Sequence, residues 1–132
     1  MFTQIVVGYI PTPEGLAALE AAISLAKEGG GHLTVVNTGR AGNYADATFA
    51  SAEEIDSIDL QLANADIPHD VRQPTSGLVA ADEILGVAEQ VGADLVVIGV
   101  RRRSPVGKLV TGSTAQQVLL DAGCSVLAVK AS

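Results

Sequence analysis

Short runs of consecutive apolar residues alternate along this chain with longer stretches whose apolar positions recur every three to four residues. The first run is Ile5 to Val7, reaching Tyr9. Thr12-Pro13 then reads as a helix cap with proline at the first helical position. Leu16, Leu19, Ile23 and Ala26 follow at helical spacing and predict one apolar face, which stops at Gly29-Gly30-Gly31. Leu33 to Val36 form a second run that leads into Asn37, Thr38 and Gly39. Arg40 to Ala50 carries little pattern and reads as a mobile loop. A polar helix is expected from about Ser51, with Glu53 and Glu54 in the first turn, as the helix dipole prefers, and with Ile55, Ile58 and Leu62 inward. Pro68 interrupts the chain, and His69 to Gln73 predicts a short strand apolar enough only for a sheet edge. After a turn at Pro74, Thr75 and Ser76, a third helix is marked by Ile84, Val87, Ala88 and Val91 and stopped by Gly92. Leu95 to Ile98 is an unbroken aliphatic run, the pattern of a strand buried on both faces. Ala115, Val118, Leu119 and Ala122 predict a fourth helix up to Gly123, and Ser125 to Val129 a last strand.

The series β-α-β-α-β-α-β-α-β predicts parallel pairing with right-handed crossovers. The fold class is therefore α/β: a five-stranded, mostly parallel, doubly wound sheet, flavodoxin-like or Rossmann-like, with four helices in one domain over residues 1–132. Ligands of such sheets bind beyond the carboxyl ends of the strands, where the strand order reverses. Here the first and fourth strands would lie side by side at that point, bringing Gly8 to Thr12 beside Gly99 to Gly107.

Composition narrows the classes. Hydrophobic residues make up 48% and charged residues 17% of the chain, which is globular rather than disordered. Cys124 is the one cysteine, so no intrachain disulfide can form, as suits a reducing cytoplasm. No apolar run approaches the roughly 20 residues of a membrane span, and the start MFTQIVVGYI lacks the charge of a signal peptide. A cytoplasmic protein without a membrane partner is expected. The net charge of −7 opposes non-specific binding to nucleic acid. Four of the eight Lys and Arg residues nevertheless fall together as Arg101, Arg102, Arg103 and Lys108, in a loop expected over Val100 to Thr111. Such a run is either a solvated loop or an anion site, and its place between a buried strand and the helix start at Gly112-Ser113 favours the anion, most simply a phosphate.

These residues resemble the universal stress protein family. Its signature, a glycine, two residues, a glycine, nine residues and then Gly-Ser or Gly-Thr, is met by Gly99, Val100-Arg101, Arg102, the nine residues Arg103 to Thr111, and Gly112-Ser113. The resemblance extends over essentially the whole chain. It implies a fold like that of the adenine nucleotide alpha hydrolases and a cleft for ATP or AMP, with magnesium left open. By the same resemblance, Gly112 and Ser113 would hold phosphate oxygens, and Gly8, Tyr9 and Thr38 would border the adenine. Arg101, Arg102, Arg103 and Lys108 would offset phosphate charge, and Gly99 would admit the phosphates to the backbone. A homodimer through the last strand, Ser125 to Val129, is also implied. The chain departs from the family at three places. Arg102 replaces the second glycine, Ile10 stands where nucleotide-binding members carry an aspartate, and Gly123 and Ser125 replace the prolines around Cys124.

Other chemistry is poorly served. Gly107-Lys108 fails as a P-loop because Arg102 and Leu109 stand where glycine and a hydroxyl residue are required. GYIPTP after the first strand is no dinucleotide fingerprint. His32 and His69 are isolated in sequence, with no partners at metal-ligand spacing, and Cys124 reads as a buried, inert thiol. No nucleophile, base and orienting group stand together. A non-catalytic sensor or regulator of stress response that binds nucleotide is expected, the alternative being a dimeric interaction module whose site no longer binds ATP.

Overall fold

The computed structural model describes residues 2–38, 50–74, 79–102, 109–110 and 112–131, with the side chains of 101–102, 109–110 and 112–113 outside the description. The strands are β1 (Gln4–Tyr9), β2 (His32–Asn37), β3 (His69–Arg72), β4 (Leu95–Arg102), β5 (Leu109–Val110) and β6 (Ser125–Lys130). The helices are α1 (Pro13–Gly29), α2 (Ala52–Asn64), α3 (Ala80–Val91) and α4 (Gly112–Asp121).

Five strands pair in parallel in the order β3-β2-β1-β4-β6. The switch in order falls between β1 and β4, which align Val7 with Val97. The expected α/β sheet and its four helices are therefore present, and β3 takes the predicted edge. The other edge is β6.

Local signals account for the helix ends. The Thr12 hydroxyl accepts from the Gly15 N–H at 3.1 Å, with Pro13 following. Ser51 and Glu54 form a reciprocal capping box at the start of α2, satisfying two free N–H groups. Gly30 and Gly92 end α1 and α3 with φ of 64° and 65°, a conformation that costs a residue with a Cβ roughly 1 kcal/mol or more.

Alternation along the central strands buries both sheet faces. Ile5, Val7, Leu33, Val35 and Val97 pack under α1 and α2, while Val6, Val36, Val96, Ile98 and Val100 pack under α3 and α4. Asp94 fixes where β1 begins beside β4. Its carboxylate accepts from the Thr3 N–H at 2.9 Å, the Gln4 N–H at 3.0 Å and the Thr3 hydroxyl at 3.2 Å.

Three expectations need correction. The fourth strand does not end at Ile98, and no loop begins at Val100. Gly99 and Val100 continue the ladder beside Val129 and Lys130, and Arg101 and Arg102 pair antiparallel with Val110 and Leu109. Leu16 does not face the core: it is 48% exposed, and the inner stripe of α1 runs instead through Gly15, Ala18, Leu19, Ala22, Ile23 and Ala26. Leu119 is likewise 45% exposed, since α4 buries Ala115 and Val118. The loop expected from Arg40 lies outside the described residues as far as residue 49, and so does the turn at Thr75 and Ser76. Among the described residues no helix is long and apolar enough to cross a membrane.

Candidate functional site

The carboxyl ends of β1, β2 and β4 converge with the start of α1. Tyr9 sits beside Asn37 in register, and Thr38 follows directly, so Gly8, Tyr9 and Thr38 are brought together at adjacent strand tips as expected. Each is closely packed. The Tyr9 ring is 3% exposed within the cluster under α1 and α2, and burial, helped by Glu54, pushes its hydroxyl above the ordinary pKa. Thr38 is 4% exposed. A Cβ on Gly8 would lie 2.7 Å from the end of the Ile84 side chain.

Gly99 has a structural duty of its own. A Cβ there would lie 2.2 Å from the Glu14 carbonyl oxygen and 2.6 Å from its carbon, so the first turn of α1 rests directly on the β4 backbone. Gly15 makes the matching approach to the Ile10 carbonyl, at 1.9 Å from a virtual Cβ. That carbonyl also accepts from the Thr12 N–H at 2.8 Å. Ile10 thus belongs to a tight bend beneath the start of α1.

Arg101 and Arg102 have their backbone in the β4–β5 ribbon. Position 102 is extended and strand-paired, a conformation open to any side chain, which explains how arginine can stand in the glycine position. Gly112 and Ser113 begin α4. Arg103 and Lys108 lie outside the described residues.

A polar network that the sequence reading passed over links these tips. Asn37 is fully buried. Its amide donates to the Tyr9 carbonyl at 2.9 Å, and its oxygen accepts from the Ala50 N–H and from the Gln73 side chain, each at 2.8 Å. Gln73 donates also to the Ala50 carbonyl at 3.0 Å. The ends of three strands and the start of α2 are thereby held together. The available signal was a single amide closing the run LTVV.

A separate groove of about 370 Å³ lies between the end of β3 and α3, lined by Arg72, Gln73 and Pro74 on one side and by Asp82, Glu83, Gly86, Val87 and Gln90 on the other. Arg72 is fixed there by Asp70 at 2.6 Å and Gln90 at 3.2 Å. Apart from Gln73, which also joins the Asn37 network, none of its lining residues belongs to the strand-tip site. Among the described residues no three His, Cys, Asp or Glu side chains converge as metal ligands would. Burial raises the pKa of the Cys124 thiol, with the Asp94 charge adding to the effect.

The sequence matches a model described as the universal stress protein family over residues 1–130. A universal stress protein from Mycolicibacterium smegmatis is 43% identical over 127 residues, covering 96% of this chain and 97% of its own. A universal stress protein structure from Archaeoglobus fulgidus superposes with a TM-score of 0.80 at 26% identity, covering 98% of this chain and all of the other. A structure of the universal stress protein from the same organism in complex with dAMP has a TM-score of 0.65 at 23% identity, covering 97% and 98%.

Proposed function

Because the chain belongs to the universal stress protein family, we propose that it binds an adenine nucleotide, ATP or AMP, at the carboxyl ends of β1, β2 and β4 and acts as a regulator in stress response rather than as an enzyme. One observation carries the reading: the strand order switches between β1 and β4, and the signature segment runs from Gly99 in β4 to Gly112 and Ser113 at the start of α4. Free N–H groups and the dipole at that helix start favour a phosphate. The dAMP complex of the Archaeoglobus fulgidus relative shows that the fold accommodates such a ligand in that protein. In this reading Ser113 and Gly112 hold phosphate oxygens, Arg101, Arg102, Arg103 and Lys108 offset the charge, Gly8 and Thr38 border the base, and Tyr9 supports that border from within the core. The protein resides in the cytoplasm. Hydrolysis would need a base that Ile10 does not supply, so turnover stays well below the roughly 1 per second of an ordinary enzyme.

The assembly in this reading is a homodimer through β6. That strand is an edge with Ser125, Leu127, Ala128 and Lys130 exposed, and α4 beside it exposes Leu119 and Leu120, the latter at 79%. An uncovered apolar edge invites pairing with a second copy.

A second reading, a dimeric interaction module that does not bind ATP, is favoured by the packing of Gly8, Tyr9 and Gly99 against protein rather than toward an open cleft. Absorbance of the purified protein separates the two. With no Trp and two Tyr, the chain absorbs weakly, and a retained nucleotide would show as excess at 260 nm. Alanine at Arg101, Arg102 and Arg103 should then release it. Retention unchanged by that triple substitution would remove the arginines from the site, and a nucleotide-free protein that also ignores added nucleotide would favour the module.

A further inference from the structure

The two ring nitrogens of His69 each meet an acceptor. Nδ1 lies 2.6 Å from the Ile67 carbonyl oxygen, and Nε2 lies 2.6 Å from Oδ1 of Asp59 on α2. A carbonyl and an ionised carboxylate only accept, and a neutral imidazole carries a single N–H. Both contacts are hydrogen bonds only when the ring holds two protons. A neutral ring would turn a lone pair toward one of the two oxygens at a distance where they repel.

The contact falls on a helix that buries few residues of its own. Among the described residues, α2 buries Ile58 and Leu62, whereas α1 buries six residues and α3 five. Asp59 follows Ile58 directly. At its other end α2 is fastened through Ala50 to Asn37 and Gln73.

We propose that His69 and Asp59 form a pH-operated clasp, which fastens α2 to the sheet edge while His69 is doubly protonated and loosens it when His69 loses a proton. The charged groups around the ring agree in sign. Asp59 faces it from α2, and Asp70, the next residue on β3, adds a second negative charge. From β2, Nε2 of His32 lies 3.4 Å from Asp70, and Arg72 binds Asp70 at 2.6 Å, so both side chains are engaged with Asp70 and leave Asp59 to His69. Burial alone would lower the His69 pKa, but the Ile67 carbonyl and the Asp59 carboxylate outweigh it and hold the pKa above the ordinary 6.5. A raised folded-state value means that the clasp contributes fully below about pH 6.5 and is lost as pH rises through the folded value. The window therefore lies above the ordinary imidazole value of 6.5.

The test needs no ligand and so stands apart from the nucleotide reading. His69 is titrated by NMR through its ring resonances in the full chain and in the Asp59→Asn variant, a change at a side chain that is 64% exposed. The clasp predicts ring ¹⁵N shifts of the doubly protonated form at pH 6.5, a His69 pKa above 6.5, and a fall of about half a unit or more, roughly threefold in proton affinity, in Asp59→Asn. Amide exchange in α2, corrected for its intrinsic pH dependence, should speed up severalfold between about pH 6 and about pH 8.5 in the wild type and not in the variant. A His69 that titrates at or below 6.5, an equal pKa in both proteins, or α2 exchange with no pH step overturns the proposal.

Discussion

Alanine at position 99 separates two roles of one glycine. The new Cβ would stand 2.2 Å from the Glu14 carbonyl oxygen, more than an ångström short of ordinary contact, and backbone cannot rotate away as a side chain end can. The start of α1 and β4 must part by about that distance, which loosens the packing of Ala18 and Leu19 against Val97 in the same cluster. Overpacking of this kind costs about 1–3 kcal/mol, and a clash with main chain belongs at the upper end. About 3 kcal/mol is expected, a fall in Tm of about 10 °C for a domain of this size. Gly86 provides the control. A Cβ there meets nothing within 4 Å, and the position is helical, so Gly86→Ala should stabilise by about 0.5–1 kcal/mol. Urea unfolding followed by circular dichroism reads both. A Gly99→Ala protein within about 0.5 kcal/mol of wild type would refute the packing role and leave ligand approach as the reason for the glycine.

Asn37→Ala strips the Tyr9 carbonyl and the Ala50 N–H of their partner, and two such buried groups at about 1–3 kcal/mol each predict a loss of about 2–6 kcal/mol in the same unfolding measurement. The Thr3 N–H, followed by the Gln4 N–H and the Thr3 hydroxyl, holds the Asp94 carboxyl below its ordinary pKa. Its contribution is therefore present above about pH 4 and lost as pH falls through the folded value, so Asp94→Asn should be less stable than wild type at pH 7 and should converge with it on acidification. A stability gap that widens in acid would contradict that assignment.

The alternation of apolar runs and helical stripes carried the order of elements, because the central strands β1, β2 and β4 are buried on both faces and the helices between them are bounded by glycine, proline or a cap. The caps at Thr12 and Ser51 were equally local, and so legible. What was not legible depends on partners distant in sequence. Leu95 to Ile98 gives no sign that the strand continues to Arg102, since the continuation is set by pairing with β6 and with Leu109 and Val110. Leu16 and Leu119 fit helical spacing yet face outward, because Ala18, Ala22 and Ala115 allow closer approach to the sheet. Gly99 was read as room for phosphate, and its contact with α1 shows only in three dimensions. The side-chain partner of His69 was not legible either: Asp59 lies ten residues away on a different element.

Calorimetric titration of nucleotide-stripped protein with ATP, AMP and cyclic AMP, with and without magnesium, tests the central proposal most directly. The account predicts saturable binding of ATP or AMP at about micromolar concentration, near −8 kcal/mol, abolished by a bulky residue at Gly112 that leaves the fold intact by circular dichroism. No heat and no thermal stabilisation at millimolar nucleotide would contradict it and turn the search to protein partners.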